Sequence, residues 1–190
     1  MIGLLTTITG PMFSGKTTEL LRLMDRELIA KRNSIIFKPN IDQRYSLEEV
    51  VNHNGISRKA IVASNSKEVF EKIIELNNIQ KIVNVFIDEI QFLDSEIIKI
   101  IKDINNLGIN VFVCGLNQTF KGDPFPFKDG LKDIGTLIAI SDNIIYVDAV
   151  CNVCGKRATK TYRIGNDGKT VVVGGSDKYQ ARCKDCWNKL

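Results

Sequence analysis

Long apolar runs are missing from this sequence. Nowhere in its 190 residues does a stretch approach the roughly 20 apolar residues a helix needs to cross a bilayer. Met1 to Thr9 is too short for a charged-then-apolar leader and runs straight into a glycine-containing loop, so neither a secretory signal nor a membrane partner is expected. A cytoplasmic location follows as the expectation. Concentrated charge is missing too. The 26 basic and 22 acidic residues leave a net +4, scattered along the chain. There is no Lys/Arg stripe, and the aromatics do not interleave with basic residues, so a nucleic-acid partner is not expected. The small surplus suits anionic small molecules instead. Histidine is limited to His53, in a polar stretch with no partner evident in the sequence, and it reads as solvated surface. Internal repeats and low-complexity linkers are absent, so a C-terminal piece would have to pack directly on what precedes it.

The hydrophobic fraction of 44% and charged fraction of 25% leave room for a sizeable core in one domain, or one domain plus a small satellite. Leu4–Thr9 is apolar and β-branched, a buried strand entering the loop Gly10–Thr17. From Thr17 to Lys31, Leu20, Leu21, Met24, Leu28 and Ile29 recur at helical spacing. Ser34–Lys38 reads as a strand ended by Pro39, and Asn40–Arg58 as a long polar loop. Ala60–Ala63 is a strand, and Ser66–Asn77 a helix with Ser66 as cap. Ile82–Ile87 is a strand, Asp94–Asn106 a helix stopped by Gly108, and Ile109–Val113 a strand. Gly115–Gly130 is a Gly/Pro/Phe-rich loop, Leu131–Ile140 a helix, and Ile144–Val147 a strand. Strands alternating with helices predict an α/β fold: a mostly parallel sheet with helices on both faces, joined by right-handed crossovers. The unbroken apolar strands agree, because both faces of such a sheet are covered. Past Ala149 the texture changes to short strands, glycines and cysteines, which divides the chain into residues 1–149 and 150–190.

Gly10-Pro11-Met12-Phe13-Ser14-Gly15-Lys16-Thr17 matches the phosphate-loop pattern. Its glycines let backbone N–H groups turn inward around phosphates, and the helix behind offers its positive end. Lys16 has the reach for the β- and γ-phosphates of ATP, and the Thr17 hydroxyl can ligate magnesium. A chance match is the lesser alternative, since the loop follows a predicted strand and precedes a predicted helix. The second half of such a site is an acid ending another buried strand, and Val83–Asp88 supplies it with Asp88 as magnesium holder. Glu89 comes next. From its position alone it is either a general base or a helix-capping carboxylate.

Cys151-Asn152-Val153-Cys154 and Cys183-Lys184-Asp185-Cys186 form two knuckles with 28 residues between them. Together they predict a tetrahedral four-thiolate zinc site, which leaves no open coordination position and is therefore structural rather than catalytic. Two disulfides are the lesser alternative in a reducing compartment. The zinc would fix the base of a loop spanning Thr161 to Tyr179. Cys114, at the end of an apolar strand, reads as a small buried hydrophobe.

With these residues in place the sequence resembles the thymidine kinases of the cytosolic, bacterial and poxviral type. The resemblance covers essentially the whole chain. It rests on Gly-Pro-Met-Phe-Ser-Gly-Lys-Thr at 10–17, Asp-Glu-Ile-Gln-Phe at 88–92, Gly-Leu-Asn-Gln-Thr-Phe at 115–120 and Pro-Phe at 124–125. Both cysteine pairs and Val-Gly-Gly-Ser-Asp-Lys-Tyr at 173–179 complete it. It implies a RecA-like P-loop domain carrying a zinc-ribbon-like lid. The implied activity is transfer of the γ-phosphoryl of ATP to the 5′-hydroxyl of thymidine, giving thymidine monophosphate for DNA synthesis. It also implies that Glu89 is the base, that Asp42 and Arg44 belong to the active site, and that Arg44 stabilises phosphoryl charge. The lid's Thr170, Val171, Val172 and Val173 would lie along the thymine, Tyr179 would help close the pocket, and Met12, Leu116, Phe120, Phe125 and Thr161 would line it. A homotetramer is implied as well. Phe92 and Phe127 are assigned no role.

The chain departs from the family pattern at Asn117, where aspartate is common, at Lys121-Gly122-Asp123 in place of an arginine-rich segment, and at bulky Ile90. These touch local hydrogen bonds around the acceptor sugar. Two rivals differ in prediction. A nucleic-acid-stimulated ATPase would consume ATP with single-stranded DNA, and a kinase for another deoxynucleoside would differ in base preference.

Overall fold

The computed structural model describes residues 1–40, 49–51, 55, 57–165 and 174–188. Its centre is a six-stranded sheet. The strands β1 (Leu5–Gly10), β2 (Ser34–Pro39), β5 (Ile61–Ala63), β6 (Asn84–Ile87), β7 (Asn110–Leu116) and β8 (Asn143–Tyr146) run in the spatial order β5-β2-β6-β7-β1-β8. All five neighbouring pairs are parallel. The four inner strands, β2, β6, β7 and β1, alternate their side chains between two separate cores. Leu5, Phe37, Val85, Ile87, Val111 and Val113 face one, with α2 (Ser66–Ile79), α3 (Ile97–Asn106) and α4 (Ile134–Ala139). Ile8, Ile36, Phe86 and Cys114 face the other, with Leu20, Leu21 and Met24 of α1 (Lys16–Ile29). Helices therefore cover both faces, which is why the strands carry no polar stripe. Phe37 and Phe86 have no solvent exposure, and each burial contributes about 1.5–3 kcal/mol.

Several local readings shift for physical reasons. Asn65, not Ser66, caps α2: its side chain accepts from the Glu68 N–H at 2.9 Å, while Glu68 accepts from the Ser64 N–H at 2.7 Å. This reciprocal cap is a stronger stop than a lone serine. Ser66 is used across the fold instead, its N–H and hydroxyl both donating to Asp94. With Asp94 occupied there, α3 starts three residues later than expected. Asp133 caps α4 by accepting from the Thr136 N–H, which trims the expected helix to Ile134–Ala139. Within the stretch expected to be loop, β3 (Glu49–Val51) and β4 (Ser57–Lys59) pair antiparallel. Val50 reaches the α1 core, and Arg58 bridges Asp25 of α1 at 2.7 Å. That hairpin is held by α1, so no local pattern announces it.

Beyond β8 the chain forms β9 (Ala149–Val150), β10 (Arg157–Ala158), β11 (Lys160–Arg163), β12 (Tyr179–Arg182) and α5 (Lys184–Trp187). β9 pairs with β10 and β11 with β12, both antiparallel. A third apolar cluster of Ala149, Cys151, Ala158, Ala181 and Cys183 lies here, and Phe13 of the phosphate loop packs against it. No described helix is long and apolar enough to cross a membrane.

Candidate active site

The carboxyl ends of β1, β6 and β7 lie side by side, with Gly10 opposite Leu116 and Ile87 opposite Val113. In an open parallel sheet this end is where loops converge on a ligand. Gly10 must be glycine, since a Cβ there would stand 1.9 Å from the Val147 carbonyl oxygen. Gly15 has open space but a φ of 82°, the left-handed turn that starts α1. The loop thus delivers the N-terminus of α1 to the β1 end, with Lys16 buried and its Nζ donating to the Pro11 carbonyl at 2.7 Å.

Facing it, the Thr17 hydroxyl is 3.2 and 3.4 Å from the two Asp88 carboxylate oxygens. A hydroxyl beside a carboxylate at this end of the sheet is a hard-oxygen donor set that fits magnesium. Glu89 follows at φ 49°, an uncommon left-handed position for a residue with a side chain. Its side chain caps nothing; instead it accepts a hydrogen bond from the Gln91 amide. Gln91 is fully buried, and its Oε1 accepts the Leu116 N–H at 3.3 Å. One amide thereby pins both the carboxylate and the end of β7.

The electrostatics are those of a crowded site with Lys16 and Asp88 buried. Desolvation lowers the Lys16 pKa against the pull of Glu89, Cys114 and Asp88. Desolvation raises Asp88, opposed by hydrogen bonds from Cys114, Thr17 and the Glu89 N–H and by the Lys16 charge. It also raises Glu89, helped by the Asp88 charge and opposed by Lys16 and Gln91. A carboxyl held above its usual range is a better proton acceptor near neutrality. Cys114 is buried, as expected, but it also acts as a donor. Its thiol lies 2.7 Å from the Asp88 Oδ1, and desolvation first, then both acids, push its pKa well up.

The four cysteines of the two knuckles converge, with every Sγ within 4.8 Å of the others and none in a disulfide. Cys154 and Cys183 are 3.6 Å apart, close to the roughly 3.8 Å edge of a zinc tetrathiolate with bonds of about 2.3 Å. Burial pushes the Cys151 thiol up, but backbone groups of Cys183, Cys154 and Val153 outweigh it and bring it to about 6. Hydrogen bonds with Cys154 and Cys183 push Cys186 up to about 12. Four sulfurs gathered this closely offer the thiolate donor set that a divalent, sulfur-preferring cation takes. The set fits structural zinc.

From this corner β11 reaches back to the phosphate loop, where the Met12 N–H donates to the Thr161 hydroxyl at 3.0 Å. The family model for thymidine kinase matches residues 3–187. The chain belongs to the thymidine kinase family. A thymidine kinase of Thermococcus kodakarensis is 42% identical over 190 residues, covering 96% of this chain and 93% of its own. A thymidine kinase of Pseudothermotoga lettingae is 37% identical over 191 residues, covering 100% and 97%. Like other thymidine kinases, the chain is a kinase, and its family implies ATP with a divalent metal.

Among residues expected at a thymidine kinase site, Gly10–Thr17, Asp88 and Glu89 meet at the sheet end. Met12 and Thr161 are bonded to each other. Leu116 ends β7 beside Gln91. Phe125 is buried in the main core, edge-to-face with Phe92 at 6.1 Å, and Phe127 is buried in the same core. Phe120 lies under the Arg163 guanidinium at 5.2 Å, and Tyr179 is opposite Arg163 in the β11–β12 register. Asp42, Arg44 and Thr170, Val171, Val172 and Val173 lie outside the described residues. Gln91 and the donor role of Cys114 escaped the sequence reading. Gln91 stood inside a recognised motif, whereas nothing in sequence ties Cys114 to an acid 26 positions earlier.

Proposed function

We propose that this member of the family transfers the γ-phosphoryl group of ATP to the 5′-hydroxyl of thymidine, with Glu89 as base. The observation that carries the reading is the convergence of Lys16, Thr17, Asp88 and Glu89 at one sheet end, beside the four-cysteine corner, whose strand β11 is bonded to the same loop at Met12. The amides of the phosphate loop and the Lys16 ammonium bind the triphosphate and offset its charge. Thr17 and Asp88 would hold magnesium, which supplies further charge neutralisation on the β- and γ-phosphates. Glu89, oriented by Gln91, takes the 5′-hydroxyl proton as the oxygen attacks in line.

In the same reading Arg44 stabilises the transferring group and Asp42 borders the acceptor. Residues 150–190 act as a substrate lid on the nucleotide-binding part, 1–149. Thr170–Val173 meet the thymine edge with main-chain groups, and Met12, Leu116, Phe120, Phe125, Thr161 and Tyr179 wall the pocket. A pyrimidine suits flat apolar walls with a few matched donors and acceptors. Zinc on the four cysteines fixes the lid's base. A cytoplasmic homotetramer completes the picture.

The test is a phosphorylation assay over the four deoxynucleosides plus uridine, with magnesium and ATP. Thymidine is expected to give the highest kcat/KM, followed by deoxyuridine. Thymidine left unmodified, with ATP hydrolysed against single-stranded DNA, would overturn the reading.

A further inference from the structure

Trp187 is the chain's single tryptophan and follows directly on Cys186. Its Nε1–H donates to the Thr161 carbonyl at 3.1 Å, and the hydroxyl of that same Thr161 accepts the Met12 N–H. The Lys160 ammonium lies 5.2 Å from the indole centroid and also donates to Gln118 Oε1 at 2.7 Å. Gln118 in turn donates from Nε2 to the Thr159 carbonyl at 3.3 Å. Against the ring lies Gly122, where a Cβ would stand 3.3 Å from Cη2. One half-buried side chain therefore joins three segments that are distant in sequence: a cysteine knuckle, the loop after β7, and the lid strand that grips the phosphate loop.

Simple covering of apolar surface would need only a ring. Aiming the indole N–H at a strand carbonyl fixes where that strand sits, and β11 is the strand whose hydroxyl reaches Met12. From this geometry we infer that Trp187 is a positioning residue for the nucleoside: it sets the placement of Thr161, and through it Met12, without touching substrate. The inference rests on the reading that Thr161 and Met12 border the nucleoside pocket.

Two variants test it. Trp187→Phe removes the donor and part of the ring; replacing Trp187 by its benzothiophene analogue removes the donor and keeps the shape, should the smaller ring impair folding. Zinc content, amide hydrogen exchange and steady-state kinetics are measured on each. The Met12 amide, protected by Thr161, is expected to exchange about tenfold faster with zinc retained. The thymidine KM is expected to rise about fivefold, the scale of one lost hydrogen bond, while kcat and the ATP KM stay within about twofold. Unchanged Met12 exchange in a folded, zinc-loaded variant overturns the inference, and so does an unchanged thymidine KM. If the unaltered protein leaves thymidine untouched, it is the functional reading that fails. Met12 exchange then still decides whether Trp187 positions the lid strand.

Discussion

Glu89 carries the chemistry in the proposed reaction, and its surroundings say why it would suit that task. It stands next to Asp88 in the region where desolvation raises both carboxyls, yet Gln91 keeps it aimed. Glu89→Gln preserves shape while removing the proton acceptor. Turnover is expected to fall about 10²- to 10⁴-fold. The affinity for a fluorescent ATP analogue is expected to change less than about twofold, because in the proposed reaction the phosphate contacts belong to the loop and Lys16. Stopped-flow binding beside steady-state kinetics checks both. A variant with near-normal kcat removes Glu89 from the base role.

Among the elements, α1 does two jobs, and its far end can be tested separately from its site. At its C-terminal end Glu27 accepts from the Arg32 guanidinium, with Nη2 at 2.8 Å, and from Asn84 Nδ2 of β6 at 2.9 Å. The Arg32 hydrogen bond, acting against desolvation and helped by Asn84, holds the Glu27 carboxyl below its usual range. A depressed folded pKa adds stability that is present above the unfolded value and lost as pH falls through the folded one. Glu27→Gln is therefore expected to cost about 1 kcal/mol at pH 7, and the deficit should shrink as pH drops below the unfolded value of 4.5. Urea midpoints at several pH values measure this, and a deficit constant down to acid pH speaks against the pairing. Elements such as α1 and the sheet strands were legible because periodicity and unbroken apolar runs are local. The β3–β4 hairpin was not, because Val50 and Arg58 find their partners on α1. Ser66 was misread for the same reason: a serine before a helix can cap it locally or bond elsewhere, and here Asp94 claims it. Within the site, the phosphate loop and the cysteine knuckles were readable from spacing. The Cys114–Asp88 contact and the Trp187 contact with Thr161 arise only when segments distant in sequence meet.

At the scale of the molecule, the cysteine corner and the phosphate loop are mechanically joined. Phe13 packs on the cluster containing Cys151 and Cys183, and Met12 is tied to Thr161. Removing the metal should therefore act at a distance, and mainly on one substrate. Cys154→Ser, the exposed member of the set, replaces one thiolate ligand by a poorer one for zinc. The variant is expected to bind zinc more weakly, to show a thymidine KM about tenfold higher as the lid loses its preorganisation, and to keep its ATP KM within about threefold. Adding zinc to the unaltered protein after stripping with a chelator, with magnesium restored before assay, should recover the original KM. Atomic absorption and kinetics on the same samples connect metal content to substrate demand. Were thymidine KM to stay flat while zinc falls to zero, the cysteine corner would have no part in holding the proposed lid, since both joints pass through the segments that carry or lie between the cysteines.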